Sequence, residues 1–150
     1  MGQSFCNLLY HMVFSTKERI PLMHPDLRQP LHEYLGGIVR KLGGTPIVVN
    51  GTDDHVHLLA RLRQDKAVSD VLRDIKSGSS GWIHREKPEL AHFDWQDGYG
   101  AFTVTASQME RVRGYILGQE QHHRTQDFKT EFIALLNAHG IEYDDRYIWR

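Results

Sequence analysis

The chain has a single cysteine, Cys6, so it can close no internal disulfide, and the lone thiol reads as a small buried hydrophobe in a reducing compartment. It has no apolar run approaching the roughly 20 residues that span a bilayer, and no basic-then-apolar start of a secretory signal. The expected location is the cytoplasm. It also has almost no net charge, -1 from 18 basic and 19 acidic residues, which withholds a global electrostatic argument for a nucleic-acid partner. Any such case rests on local clusters. Low-complexity segments and internal repeats are missing too, which sets aside disordered and solenoid classes. What remains is 150 residues, 40% hydrophobic and 25% charged, suited to one domain spanning residues 1–150 with its own core.

Asn7 to Ser15, rich in aromatic and β-forming residues, reads as a largely buried strand, and Thr16 to Met23 as a loop. Leu27, Leu31, Tyr34, Leu35, Ile38 and Leu42 then recur at helical spacing, with Asp26 as the expected N-cap, Pro30 in the first turn and Gly43-Gly44 as the stop. Two apolar runs, Pro46 to Asn50 and His55 to Leu62, flank Gly51-Thr52-Asp53-Asp54 and predict a hairpin. Val68 to Ile83 traces a second helix, weakened at Ser77-Gly78-Ser79-Ser80-Gly81, where it either breaks or lets another backbone or a DNA strand come close. A glycine-containing aromatic loop, Phe93 to Gly100, leads into a strand at Ala101 to Thr105. A third helix is expected from Ser107, as N-cap, to about Gln121, and a fourth from Asp127 to Gly140. Tyr143, Tyr147 and Trp149 in the tail look like docking residues. This order predicts an α+β fold, a ferredoxin-like or RRM-like antiparallel sheet with helices packed on it.

Within the hairpin, His55-Val56-His57 places two imidazoles on one face of a strand, about 6 to 7 Å apart and close enough to share a divalent cation. The alternative is one histidine bonded to a carbonyl and the other in solvent. The third helix carries two stripes: Met109, Val112 and Ile116 toward the sheet, and Gln108, Arg111, Tyr115, Gln119 and His122 beside them. Tyr115 and Gln119 stand one turn apart, so a cation on the Gln119 amide oxygen would lie near the Tyr115 hydroxyl. Taken singly, Tyr115 reads as a border residue of the core and Gln119 as a solvent-facing helix former.

Four segments in order carry a family resemblance: Tyr10-His11-Met12-Val13-Phe14-Ser15-Thr16-Lys17-Glu18-Arg19, Asp54-His55-Val56-His57-Leu58-Leu59, Trp95-Gln96-Asp97-Gly98-Tyr99-Gly100, and Tyr115 through His123. The chain resembles the single-tyrosine transposases of the IS200/IS605 type, members of the His-hydrophobe-His endonuclease superfamily. It departs from them at Gly118, where relatives often have Asn. The resemblance implies that His55, His57 and Gln119 bind Mg²⁺ or Mn²⁺. It implies that Tyr115 attacks a phosphate in single-stranded hairpin DNA, giving a 5′-phosphotyrosyl enzyme and a free 3′-hydroxyl. It also implies a homodimer in which the tyrosine helix can serve the partner's metal site. Lys17, Arg19, Trp95 and Tyr99 are candidates for backbone and base contacts, although core packing is the stronger reading for Trp95, and Arg111, by its spacing, is a candidate for charge on the phosphate. His122 or His123 could move a proton or touch DNA, or sit at the surface.

Two other functions fit the same residues. One is a descendant that binds hairpin DNA as a regulatory protein with little transfer activity. The other is a metal-dependent hydrolase with water as nucleophile, in which Tyr115 is structural. Intact His55, His57, Tyr115 and Gln119 favour the transposase.

Overall fold

The computed structural model describes residues 2–150. Its elements are β1 (Leu8–Ser15), α1 (Pro25–Lys41), β2 (Thr45–Gly51), β3 (His55–Leu62), α2 (Val68–Glu86), β4 (Gly100–Val104), α3 (Met109–Leu117), α4 (Gln119–His122) and α5 (Phe128–Ala138). The four strands form one sheet in the order β2-β3-β1-β4, with antiparallel neighbours throughout. This is the ferredoxin-like arrangement expected from the alternation of elements: β1 and β2 run the same way, and β3 is inserted between them.

Side-chain alternation divides the sheet into two faces. Tyr10, Met12, Phe14, Val56, Leu58, Ala60 and Leu62 point to the side covered by α1 and α2, where they join Leu31, Leu35, Leu72, Ile75 and Ile83 in the main apolar core. Leu9, His11, Val13, His55, His57 and Leu59 point to the other side. Register fixes their neighbours, pairing Ser15 with His55, Val13 with His57 and His11 with both Leu59 and Phe102. An RRM-like sheet leaves this second face open, but here α3, α4 and α5 cover it.

Several boundaries differ from the sequence expectation. α1 is capped by His24, in extended backbone, with Pro25 at its first position. Proline is pre-set for that position, so Asp26 falls inside the helix, where its carboxylate meets Lys87 Nζ at 3.0 Å. Pro30 accordingly lies past the first turn and removes one helical hydrogen bond. α2 runs unbroken through its small residues. A methyl on Gly78 would meet Ile38 Cδ1 at 3.2 Å, and the buried Ser79 hydroxyl accepts a 3.0 Å bond from Trp95 Nε1, so α1 and Trp95 fill the space considered for a DNA strand.

The third helix is in three parts. Ala106–Gln108 is a single tight turn, α3 ends at Leu117, and Gly118 separates it from α4. Ser107 is not a cap; its hydroxyl lies 3.1 Å from that of Thr105. Asp127 does cap α5, its carboxylate accepting from the Thr130 amide at 2.9 Å, and Gly140 closes the helix with φ +65°. Trp149 docks against Phe132, while Tyr143 and Tyr147 remain exposed. Cys6 is exposed rather than buried, because it lies in the irregular segment before β1.

Candidate active site

β3 begins immediately after the hairpin turn, so the first residue to enter the sheet is His55 and the next on the same face is His57. Both are fully buried. α3 brings Tyr115 over them, with its ring centroid 5.8 Å from that of His57. The end of α3 is fixed by Asn50 on β2, whose amide nitrogen donates to the carbonyls of Ile116 (3.0 Å) and Leu117 (3.2 Å). The break at Gly118 then turns Gln119 inward at the head of α4, where it is completely buried. α5 lies across the same face and supplies Glu131.

Glu131 is where these groups meet. Its Oε1 lies 2.9 Å from His57 Nε2 and 3.0 Å from His123 Nε2. Its Oε2 accepts from the Tyr115 hydroxyl and, at 2.8 Å, from the Gln119 amide nitrogen. A second ring of contacts orients the histidines. Asp54 Oδ1 holds His55 Nδ1 at 2.7 Å, Thr52 lies 3.0 Å from the same nitrogen, and His11 Nε2 lies 2.8 Å from His57 Nδ1. An imidazole whose far nitrogen is tied to a carboxylate is held in the tautomer and direction a metal ligand needs.

The charge states follow from burial and these contacts. Burial pulls His57 down to about 4 despite the Glu131 hydrogen bond, and His11 to about 3, so both rings are neutral at pH 7. Burial would raise Glu131, but hydrogen bonds from His123, His57 and Tyr115 outweigh it and hold the carboxyl well below its usual range. Burial, then the Glu131 hydrogen bond, push the Tyr115 hydroxyl above its ordinary value. The nucleophile candidate is therefore protonated at pH 7 and beside an ionised acceptor.

The donor set suits a cation. With Nδ1–H of His55 given to Asp54, its Nε2 carries a lone pair, yet that nitrogen faces Gln119 Oε1 at 2.8 Å. The amide cannot turn to donate without losing its bond to Glu131. Two acceptors aimed at one point call for a positive charge between them, a proton or a metal ion. Ligand atoms of His55, His57, His123 and Glu131 lie within 4.8 Å of one another, a group able to hold a metal ion. His55, His57 and Gln119 thus fit the group expected of them.

The structure brings together five of the residues singled out in the sequence, His55, His57, Tyr115, Gln119 and His123, the last turned toward Glu131 rather than lying free at the surface. Arg111 lies on the same helix as Tyr115 and lines, with His11, Gln108, Tyr115 and His139, a cavity of about 470 Å³ between α3 and α5. The other expected DNA contacts are elsewhere. Trp95 is 3% exposed, edge-on to Phe14 and Phe93, so its indole is a core group with no face open for stacking. Arg19 donates to the Trp149 carbonyl at 2.9 Å and serves to tie down the tail. Lys17 and Tyr99 are exposed. Glu131 and His11 were missed. The signal for Glu131 was available: it sits between Phe128 and Phe132 on the inward stripe of an amphipathic helix, where a lone carboxylate is out of place.

The sequence profile described as "Transposase IS200 like" matches residues 4–119, more than half of the chain and a stretch that includes His55, His57, Tyr115 and Gln119. The chain belongs to this IS200-like transposase family. It is 25% identical over 122 residues to the ISDra2 transposase TnpA of Deinococcus radiodurans, a match covering 78% of this chain and 86% of that protein. Its fold is similar to a crystal structure of a Deinococcus radiodurans R1 protein assigned as a transposase, with TM-score 0.64, 22% identity, and coverage of 79% of this chain and 96% of the other. It is also similar to a REP-associated tyrosine transposase bound to a REP hairpin, with TM-score 0.62, 14% identity, and coverage of 82% and 73%. This IS200-like transposase is accordingly a DNA-cutting and DNA-joining enzyme. Glu131 lies beyond the matched stretch.

Proposed function

We propose that this IS200-like transposase cuts and rejoins single-stranded DNA through Tyr115, beside a Mg²⁺ or Mn²⁺ held by His55, His57 and Gln119. The observation that carries this reading is the convergence of Tyr115, His57 and Gln119 on one buried carboxylate, with His55 against Gln119. In the proposed step the Tyr115 oxygen bonds to phosphorus and the bond to the 3′-oxygen breaks. The strand then ends in a free 3′-hydroxyl and the 5′-phosphate is esterified to the enzyme. One phosphodiester replaces another of similar energy, so rejoining needs no external energy source. The cation, when bound, supplies electrostatic stabilisation of charge on the phosphoryl oxygens. The chain's own contribution is to orient: Asp54 and His11 fix the two imidazoles, and Glu131 holds the phenol hydrogen.

The substrate we assign is a hairpin in single-stranded DNA, on the strength of the REP-hairpin complex of the related transposase. Arg111, on the rim of the cavity beside Tyr115, and the exposed Lys17 and Tyr99 are the residues proposed to meet it. β2 and β4 lie at the two edges of the sheet, which gives a homodimer with continuous pairing a place to form.

The test is incubation with labelled hairpin DNA and Mn²⁺, followed by denaturing electrophoresis. A denaturation-resistant protein–DNA adduct is expected from the native chain and none from Tyr115→Phe. An adduct that survives in Tyr115→Phe refutes the nucleophile. Cleaved product without adduct identifies a hydrolase, and hairpin binding without cleavage a regulatory protein.

A further inference from the structure

Among the described residues Glu131 is the only buried acidic side chain, 2% exposed. The basic side chains that reach it are histidines alone: His57 at 2.9 Å, His123 at 3.0 Å, His55 at 3.5 Å and His122 at 3.7 Å, with no lysine or arginine. A carboxylate removed from water needs hydrogen bonds or a positive charge beside it, and histidines offer it hydrogen bonds but not the permanent charge of a lysine or arginine. The two carboxylate oxygens are also divided in their tasks. Oε1 faces the histidines and Oε2 faces Tyr115 and Gln119.

We infer that Glu131 is itself a ligand of the divalent cation, so that α5 completes a site of two imidazoles, one amide and one carboxylate. The inference rests on the reading that Tyr115 works beside such a cation. Three observations carry it. The ligand atoms of Glu131, His55 and His57 belong to one group no wider than 4.8 Å, close to the roughly 4 Å between opposite ligands of an ion with bonds of about 2.1 Å. Imidazoles alone favour zinc, copper or nickel, whereas Mg²⁺ and Mn²⁺ favour oxygen, and a buried carboxylate supplies the hard ligand the two histidines lack. Finally, Glu131 is positioned firmly: Asp127 caps the first turn of α5, and Phe128 and Phe132 pack on either side of it against Val13 and Phe102. With Oε1 on the cation and Oε2 on the phenol, a single side chain sets the distance between nucleophile and metal. Glu131 acts on Tyr115 as a positioning residue.

The experiment is Mn²⁺ titration by calorimetry, with melting followed in parallel, for the full chain, Glu131→Gln and His57→Ala. Glu131→Gln is expected to weaken Mn²⁺ binding at least tenfold. Its metal-free unfolding should stay cooperative at a modestly lower melting temperature, since the hydrogen bonds to the ionised carboxylate are weakened, while the increase on adding Mn²⁺ shrinks. A misfolded variant would lose both. Should Glu131→Gln not fold, Glu131→Asp, which keeps the charge but withdraws it by one methylene, is expected to lose Mn²⁺ affinity in the same direction. Unchanged Mn²⁺ affinity in the folded Glu131 variant, with affinity lost in His57→Ala, overturns this inference alone. Unchanged affinity in His57→Ala as well overturns the cation site on which it rests.

Discussion

β3 gives Val56, Leu58, Ala60 and Leu62 to one face of the sheet and His55, His57 and Leu59 to the other, and the two sides are packed on different terms. Beneath α1 and α2 the core is continuous and apolar. Beneath α3, α4 and α5 two smaller apolar clusters, one around Phe102 and Phe132 and one around Leu9 and Ile116, flank a centre made of His11, His55, His57, Gln119 and Glu131. Each buried leucine or phenylalanine contributes about 1.5–3 kcal/mol, whereas a hydrogen-bonded polar group contributes about 1 kcal/mol and costs more than that if a partner is lost. The first face therefore holds the fold, and the second carries polar groups whose arrangement serves chemistry. The flanking clusters are what keep the second layer in place.

The sharpest way to break this comparison is a large cavity on the first face. Leu72→Ala empties a fully buried position between α2 and the sheet, and should lower unfolding free energy by about 2–5 kcal/mol in denaturant titration. Mn²⁺ affinity of the folded fraction should be unchanged. A parallel loss of affinity would show that the two faces are coupled.

On the second face the expected loss is in ligand binding rather than in stability. Asp54→Asn keeps the shape of the side chain and removes the charge that holds His55 Nδ1. Mn²⁺ affinity should fall about 10–100-fold, as is usual when a group behind a metal ligand is changed. The melting temperature without metal should move little. Intact affinity would mean that His55 is not a ligand or needs no orienting.

The order of the elements and the α+β sheet were largely legible in the sequence, and so was part of the candidate site, but not which helices cover which face. β-forming runs in β1 and β3 and helical spacing in α1 and α5 mark the elements, because those patterns are local. His55 and His57 were legible for the same reason. Glu131 was not singled out, since nothing local links position 131 to position 57; only the crossing of α5 over β3 does. His11 was hidden among the apolar residues of β1 until register set it beside His57. The helix cap moved from Asp26 to His24 because Pro25 competes for the first position, and α2 stayed whole because close packing against Ile38 rewards small residues there. Arg19 was assigned outward by residue type and a tertiary contact drew it inward, whereas for Trp95 the structure takes the core packing that the sequence favoured over a base contact.

A smaller effect tests how strictly the first side excludes polar groups. His32 on α1 has a buried Nε2 with no hydrogen-bond partner, and burial, aided by Arg28, pulls its pKa from 6.5 to about 4. Between those values the unfolded chain binds a proton that the folded chain does not. Its contribution is therefore complete above about pH 6.5, declines as pH falls toward 4, and is constant below. Allowing for partial exposure, the decline amounts to about 1–2 kcal/mol. Replacing it as His32→Gln should flatten the stability profile between pH 6.5 and 4 by that amount, measured by urea unfolding. An unaltered slope would place the titration elsewhere, with His11 and His57 the next groups to vary.

The smallest expected effect compares matched glycines from the two layers. Gly37 in α1 and Gly114 in α3 both sit inside helices where an added methyl meets nothing within 4 Å. Changing either to alanine should raise stability by roughly 0.5–1 kcal/mol, because alanine loses less backbone freedom on folding. Gly37→Ala lies in the structural layer and should leave adduct formation as it was. Gly114→Ala adjoins Tyr115 but touches none of its contacts, so it too should leave the adduct yield unchanged while raising the melting temperature. If Gly114→Ala stabilises the protein and slows adduct formation, then α3 has to bend to deliver Tyr115 to the phosphate. The second face would then differ from the first in its motion as well as in its packing.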